Sequence, residues 1–345
     1  MTRSFFPRLG RGLGIDLGTA STLVYVPGRG IVINQPSVVT IERASRRVVS
    51  VGAEARAMLG RTPKDLEAIR PLQDGVIADF DLTEEMLRQF ITRARGTHWF
   101  FRPWVVIGAP SGVTGVERRA VRDAALRAGA GEAILMEEPL AGAWGAKLPV
   151  DTSRASMIVD LGGGTTEVAV ITLNGIALCR SLRVAGDELD AAIVTHLRRE
   201  HNVLIGERRA EEIKLAIGSA YPLRDDDQFA LARGRDLVSG LPKAVRISAA
   251  EVRNAMKEPV RTIVEAVKWT LEETLPELAS DIAESGITLV GGGSLLRGLD
   301  LLLQKETGLP VQVAHDPITC VARGAGMAVE QPEALHLLTG QNGRK

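Results

Sequence analysis

The chain has 345 residues, 45% of them hydrophobic and 24% charged, with Lys+Arg and Asp+Glu both at 42 and a net formal charge of zero. Such values predict a soluble globular protein of about two domains and exclude a nucleic-acid partner held by bulk positive charge, leaving only a local patch. A membrane span is excluded because no apolar run approaches the ~20 residues needed, a secretory signal because the opening residues are broken by Pro7 and Gly10, and a metal or redox motif at Cys179 and Cys320 by their isolation, so both read as reduced thiols of a reducing cytoplasm.

Residues 1–12 combine Phe5, Phe6 and Leu9 with Arg3, Arg8 and Arg11, which fits either a frayed terminus or a small cationic, aromatic membrane foot. Residues 13–26 read as strand, glycine turn, strand, with Asp16 at the mouth of a turn formed by Gly18, Thr19, Ala20 and Ser21. Residues 37–70 alternate short apolar runs with charges, contain a helix-like piece at 53–59, and look inserted. Residues 81–94 predict an amphipathic helix burying Met86, Leu87, Phe90 and Ile91.

Four of the thirteen aromatic residues, Trp99, Phe100, Phe101 and Trp104, crowd into six positions before a strand at 105–108. That is a loop packed on the core or an apolar surface loop with a partner. A helix at 117–128 precedes a short strand and the run Glu137, Glu138, Pro139. Pro139 suits a first helical turn, so Glu138 sits at a helix entrance, as a capping carboxylate or as a group that orients water.

The strand–turn–strand pattern returns at 158–171, with Asp160 before Gly162, Gly163, Gly164 and Thr165. Two such hairpins imply two similar halves. A further strand pair is expected over 175–184, a helix over 191–200, and another from Glu207, in which Glu211 and Lys214 share a face as a surface ion pair would. Residues 222–250 are polar; Asp225, Asp226 and Asp227 lack the spacing of an EF-hand and read as a solvated turn rather than a calcium site. Two helices are expected near 248–258 and 259–281. A third glycine turn, Gly291, Gly292, Gly293 and Ser294, runs from a strand into a helix, where backbone N–H groups could hold an anion or lie beneath a nucleoside. A small-residue helix over 317–329 and a loose tail over 331–345 close the chain.

None of the three turns is a Walker loop or a GxGxxG fingerprint, and each alone fits an ordinary tight turn. In order, with the same local grammar, they point to phosphate binding. The succession DLGT (16–19), EEP (137–139), DLGGGTTEVAV (160–170), GDELD (186–190), GERRAEEIK (206–214) and VGGGSLLRG (290–298) resembles the actin and Hsp70-type ATPase superfamily, which also holds sugar kinases. Within it the chain resembles the MreB family of bacterial actin homologues, from Gly14 to about Val329; GIVINQPSVV (30–39), AIRPLQDGVIADF (68–80) and IGER (205–208) look like MreB rather than merely actin-like.

The resemblance implies an α/β, actin-like ATPase fold of two related lobes around a nucleotide cleft. Its subdomains would be IA (1–40, 73–152 and 319–345), IB (41–72), IIA (153–188 and 254–318) and IIB (189–253). It also implies ATP (or GTP) and Mg²⁺. Asp16, Asp160 and Glu138 would hold the ion, partly through water, and the backbone of Gly18, Thr19, Ala20, Ser21, Gly162, Gly163, Gly164 and Thr165 would hold phosphates. Gly186, Asp187, Glu211, Lys214, Gly291, Gly292, Gly293 and Ser294 would border the nucleoside, and Glu138 and Thr165 would orient the attacking water. Trp99, Phe100 and Phe101 match the family's membrane-insertion loop, with Phe5 and Phe6 as a second foot.

The expected protein is thus a cytoplasmic filament former, peripheral on the inner face of the plasma membrane. It would maintain rod shape by organising peptidoglycan synthesis, with slow ATP hydrolysis coupled to polymer state. Its partners would be itself in paired protofilaments, inner-membrane lipid, and transmembrane elongation and cell-wall synthesis proteins, with no nucleic acid. Ser21 stands where the family commonly has Asn, which puts one phosphate contact in doubt, and the 108–110 and 142–144 triplets also depart from the family pattern. A small-molecule kinase of the same superfamily is the alternative, but no second carboxylate motif supplies its base. An Hsp70-type chaperone would need a peptide-binding domain, for which the sequence to Lys345 is expected to leave no room.

Overall fold

The computed structural model describes residues 12–96, 102–224 and 226–331. Phe5, Phe6, Trp99, Phe100 and Phe101 therefore lie outside the described residues, as does the tail beyond Gln331. Contacts divide the chain into two units, one of Met1–Arg154, Ile171–Ala177 and Ile318–Lys345, the other of Ala155–Val170 and Leu178–Pro317.

In the first unit the predicted hairpin is the middle of a five-stranded sheet. Gly12–Leu17 pairs antiparallel with Ser21–Val26, which pairs antiparallel with Gly30–Pro36. On its other side Gly12–Leu17 runs parallel to Trp104–Ala109, itself parallel to Glu132–Glu137. Strands covered on both faces carry continuous apolar runs, and Leu13, Ile15, Val105, Val106 and Ile107 are fully buried. The helix Phe80–Arg95 covers one face with the predicted Met86, Leu87, Phe90 and Ile91. Its start is fixed by Asp79, whose side chain accepts from the Leu82 N–H, and its end by Gly96 at φ 64°. The inserted piece is a three-stranded sheet of Val48–Val51, Val39–Glu42 and Leu66–Ile69 with the short helix Ala53–Met58.

The small-residue helix, Cys320–Glu330, owes its composition to close approach. A Cβ on Gly324 would lie 1.8 Å from the Ala141 carbonyl oxygen, one on Gly145 1.8 Å from that of Cys320, and one on Gly14 2.3 Å from the Gly326 nitrogen. The helices Glu138–Gly145 and Cys320–Glu330 therefore meet backbone to backbone. Trp144 fits beside this contact at 8% exposure, although its indole N–H finds no protein acceptor.

The second unit repeats the sheet. Its order is Gly175–Leu182, Thr166–Thr172, Ser156–Leu161, Ile287–Val290, Val311–Val313, matching strand for strand the order Gly30–Pro36, Ser21–Val26, Gly12–Leu17, Trp104–Ala109, Glu132–Glu137. The two similar halves expected from the hairpins are thus present as one topology used twice. A smaller sheet, Val203–Leu204, Phe229–Asp236 and Pro242–Ser248, is antiparallel.

Local expectations differ from the structure at four places. Residues 175–182 form one strand, not a pair. The helix expected from 191 begins at Gly186, because Glu188 accepts from the Ala185 N–H and holds the first turn. Residues 249–285 form three helices, Ala249–Ala255, Lys257–Glu272 and Pro276–Ser285, since Pro276 cannot continue a helix and starts a new one. The third glycine turn enters a short 3₁₀ turn, Gly292–Leu295, before the helix Leu299–Thr307.

Candidate functional site

Asp16 lies one residue from the carboxyl end of its strand, opposite Leu23 on one side and Gly108 on the other, with Met136 next in the row. The carboxyl ends of parallel strands are where open α/β sheets bind ligands. The following turn closes with the Gly18 N–H donating to the Ser21 carbonyl at 3.1 Å. It is braced from outside: the Ser37 hydroxyl donates to the Gly18 carbonyl at 2.6 Å, the Ser37 N–H to that of Ala20, and the Gly75 N–H to the Thr19 hydroxyl at 3.0 Å.

Glu138 opens its helix with Pro139 beside it, as the sequence predicts, and is 8% exposed. Gly108 lies beside it: a Cβ there would meet the Glu138 Cγ at an ordinary 3.4 Å but would lie 2.8 Å from the Val321 Cγ1 of the Cys320–Glu330 helix.

The second unit carries the same device. Asp160 sits opposite Val290 in the parallel pair, and the Gly162 N–H closes its turn on the Thr165 carbonyl at 2.9 Å. Here the brace is the start of the helix Gly186–His201: the Gly186 N–H donates to the Gly162 carbonyl at 3.3 Å and the Asp187 N–H to that of Gly163 at 2.8 Å. In both turns the first glycine's N–H, counted from sequence among the phosphate donors, is engaged in closing the turn. The N–H groups of Thr19, Ala20, Gly163 and Gly164 bond no protein acceptor among the described residues.

The third turn packs on the second. Gly291 has φ 79°, and a Cβ on it would lie 2.3 Å from the Leu161 carbonyl oxygen and 2.5 Å from Asp160 Oδ1. Its N–H donates to the Pro317 carbonyl, and the Ser294 hydroxyl donates to the Gly291 carbonyl at 2.6 Å. Only glycine fits so close to a carboxylate with that backbone.

Lys214 gives the clearest difference from the sequence reading. Its Nζ donates to the Gly186 carbonyl at 2.8 Å and stands 2.9 Å from Asp190 Oδ1. At that distance the two charges form a largely buried ion pair. The pair tethers the Glu207–Ile217 helix to the start of the Gly186–His201 helix, beneath the second turn. Asp190 was not singled out from sequence; its place four residues after Gly186 in GDELD was the available signal.

Electrostatics separate the acidic groups. Burial pushes the Asp160 carboxyl up to about 7, and pushes that of Asp190 up to about 6 against the opposing pull of Lys214. A buried carboxyl with so raised a value suits a nearby cation, which favours the charged form. Asp226 pairs instead with Arg253 at 2.6 Å, in line with a structural turn rather than a calcium site.

A sequence model of the MreB/Mbl protein family matches residues 10–337. The chain belongs to the MreB/Mbl family. It is 52% identical to the cell shape-determining protein MreB of Escherichia coli K12, covering 96% of each chain. Against the cell shape-determining protein Mbl of Bacillus cereus it is 45% identical, covering 94% of this chain and 97% of that one. Among solved structures it is similar to MreB5 of Spiroplasma citri bound to AMPPNP, at 36% identity, TM-score 0.90, 98% of this chain and 100% of that one. The ADP-bound form of MreB5 gives TM-score 0.89 over 94% of this chain and 97% of that one. The MamK double helical filament, at 24% identity, TM-score 0.77 and 93% and 98% coverage, shares the fold. This MreB/Mbl chain therefore has the actin-like fold implied by its resemblance to that family.

Proposed function

We propose that the chain is an ATP-dependent cytoskeletal filament protein that determines rod cell shape, and that ATP hydrolysis accompanies assembly. The observation that carries this is the duplicated Asp-glycine turn, closed in both units by the same N–H to carbonyl bond. Its relatives support the reading: the Escherichia coli and Bacillus cereus proteins are named as determinants of cell shape, and MreB5 was solved with ADP and with AMPPNP.

Within that reading, the free N–H groups of Thr19, Ala20, Gly163 and Gly164 hold the β- and γ-phosphates, with Ser21 and Thr165 completing the two turns. Asp16, Asp160 and Glu138 would hold Mg²⁺, partly through water. When bound, the ion neutralises charge on phosphates and carboxylates alike. Glu138 and Thr165 orient the water that attacks the γ-phosphorus. Gly186, Asp187, Glu211, Lys214, Gly291, Gly292, Gly293 and Ser294 border the nucleoside, and residues 41–72 and 189–253 form the smaller subdomains. The nucleotide is ATP or GTP, with Mg²⁺.

The same proposal places the protein on the inner face of the plasma membrane. Trp99, Phe100, Phe101, Phe5 and Phe6 supply peripheral attachment, aromatic side chains being favoured at the headgroup boundary; among the described residues no helix is long and apolar enough to cross a membrane. Partners are further copies of the chain in paired protofilaments, anionic lipid, and transmembrane cell-wall synthesis proteins that the filament organises.

Steady-state phosphate release tests the catalytic assignment. Glu138→Ala should retain nucleotide binding and assembly while hydrolysis falls about 10²-fold or more, the scale of a lost general base. Hydrolysis unchanged in that variant would remove Glu138 from the mechanism.

A further inference from the structure

Away from the glycine turns, two histidines and a glutamate converge on one point. His196 and His201 lie near the end of the Gly186–His201 helix, and Glu251 is in the first turn of Ala249–Ala255. Glu251 Oε1 is 2.9 Å from His196 Nε2 and 2.5 Å from His201 Nε2. The imidazole centroids are 6.2 Å apart at 63°, and one donor atom from each of the three residues lies within 4.8 Å of the others.

A clip between two helices needs one histidine on a carboxylate. Here a second ring brings the same nitrogen to the same oxygen, which focuses an N₂O donor set on one centre. The side chains are 16%, 25% and 27% exposed, so the centre has protein on one side and water on the other. Lys243, which donates to the His201 carbonyl at 3.0 Å, has its charge paired with Asp236 at 2.8 Å rather than with Glu251.

We propose that His196, His201 and Glu251 form a binding site for a divalent transition metal of the zinc class, with water in the fourth position. Imidazole nitrogen suits Zn²⁺ and its neighbours and not Mg²⁺, which takes oxygen ligands. Zinc ligands stand about 2.0–2.2 Å from the ion, hence about 3.4 Å from one another in a tetrahedron, so the two oxygen–nitrogen separations of 2.9 and 2.5 Å widen by under about 1 Å, and the two nitrogens, within 4.8 Å of each other, adjust to the same spacing to admit one. The bound ion crosslinks the Gly186–His201 helix to Ala249–Ala255. That first helix braces the second glycine turn at its other end, 10 residues from His196 and 15 from His201, or about 15–22 Å at 1.5 Å per residue. Occupancy therefore stiffens the element on which the turn rests.

The test uses the full chain, purified without a histidine tag, stripped with chelator and held in excess Mg²⁺ without nucleotide. Co²⁺ alone is titrated and followed by visible d–d absorption, then displaced with Zn²⁺. The expected result is one Co²⁺ per chain with the strong absorption of four-coordinate cobalt, lost on adding one equivalent of Zn²⁺. Glu251→Gln, which keeps shape and an acceptor, should weaken binding at least tenfold, since loss of an outer-shell partner alone costs about 10–100-fold. His196→Ala/His201→Ala should abolish the absorption, with the metal-free melt recorded to confirm folding. Absorption of six-coordinate cobalt only, or zinc affinity and stoichiometry unchanged in Glu251→Gln, would overturn the site and leave a hydrogen-bonded clip.

Discussion

At the residue scale, Asp160 is the group on which most depends. Its folded value of about 7 lies above the ordinary 3.8 of an aspartate, so the native state holds the proton more tightly than the unfolded chain does. Stability is therefore fully present below about pH 4 and falls as pH rises to about 7. In the absence of Mg²⁺ and nucleotide, Asp160→Asn should remove that slope. It should melt higher than wild type at pH 8 by the equivalent of at most about 4 kcal/mol, at about 1.4 kcal/mol for each pH unit, and the two should converge near pH 4. Thermal melts across that range check it, and identical slopes would show that Asp160 is ionised at no cost. The places of Asp16 and Asp160 before their turns and of Glu138 at a helix entrance were legible in the sequence because each stands at a fixed offset from glycine or proline. Asp190 was not, because its partner Lys214 lies on another helix, and sequence spacing within one helix pointed to Glu211 instead. The closing bonds of Gly18 and Gly162 were hidden for a similar reason: sequence shows which residues permit a turn, not which N–H the turn consumes.

At the scale of elements, glycines and prolines set what could be read. The helix Phe80–Arg95 matched its apolar spacing closely, with a cap at Asp79 and a stop at Gly96. Pro276 marks the break between the second and third helices after Ser248, yet amphipathic spacing continues across it and masked the boundary. The Cys320–Glu330 helix was predicted from its small residues, and the structure explains them: Ala141 and Cys320 carbonyls occupy the space a Cβ would need at Gly324 and Gly145. Gly324→Ala should therefore destabilise the first unit by about 1–3 kcal/mol, the usual cost of overpacking, read as a lowered urea midpoint. Gly291→Ala adds backbone strain to collision with Leu161 and Asp160. It should weaken nucleotide binding as well as stability, which nucleotide-dependent melting separates.

At the scale of the whole molecule, the repeat of one sheet order in two units matches the two similar halves that the two hairpins announced; the actin-like fold itself was legible through the run of motifs that resembles the family. The proposed attachment to membrane belongs to this scale too. Each buried aromatic ring contributes at most about 1.5–3 kcal/mol, so one loop holds lipid weakly and a filament presenting many holds it well. By electron microscopy with ATP and anionic vesicles, Trp99→Ala/Phe100→Ala/Phe101→Ala should form filaments that no longer lie on lipid; unchanged lipid decoration would remove the loop from that role. The central claim is that the two acidic turns hold one metal–nucleotide complex. A crystal of the chain grown with AMPPNP and Mn²⁺ in place of Mg²⁺ tests it most directly through the manganese anomalous signal. The account predicts a peak at the phosphates, bound directly or through one water to both Asp16 and Asp160. Nucleotide held with manganese remote from either carboxylate would contradict it.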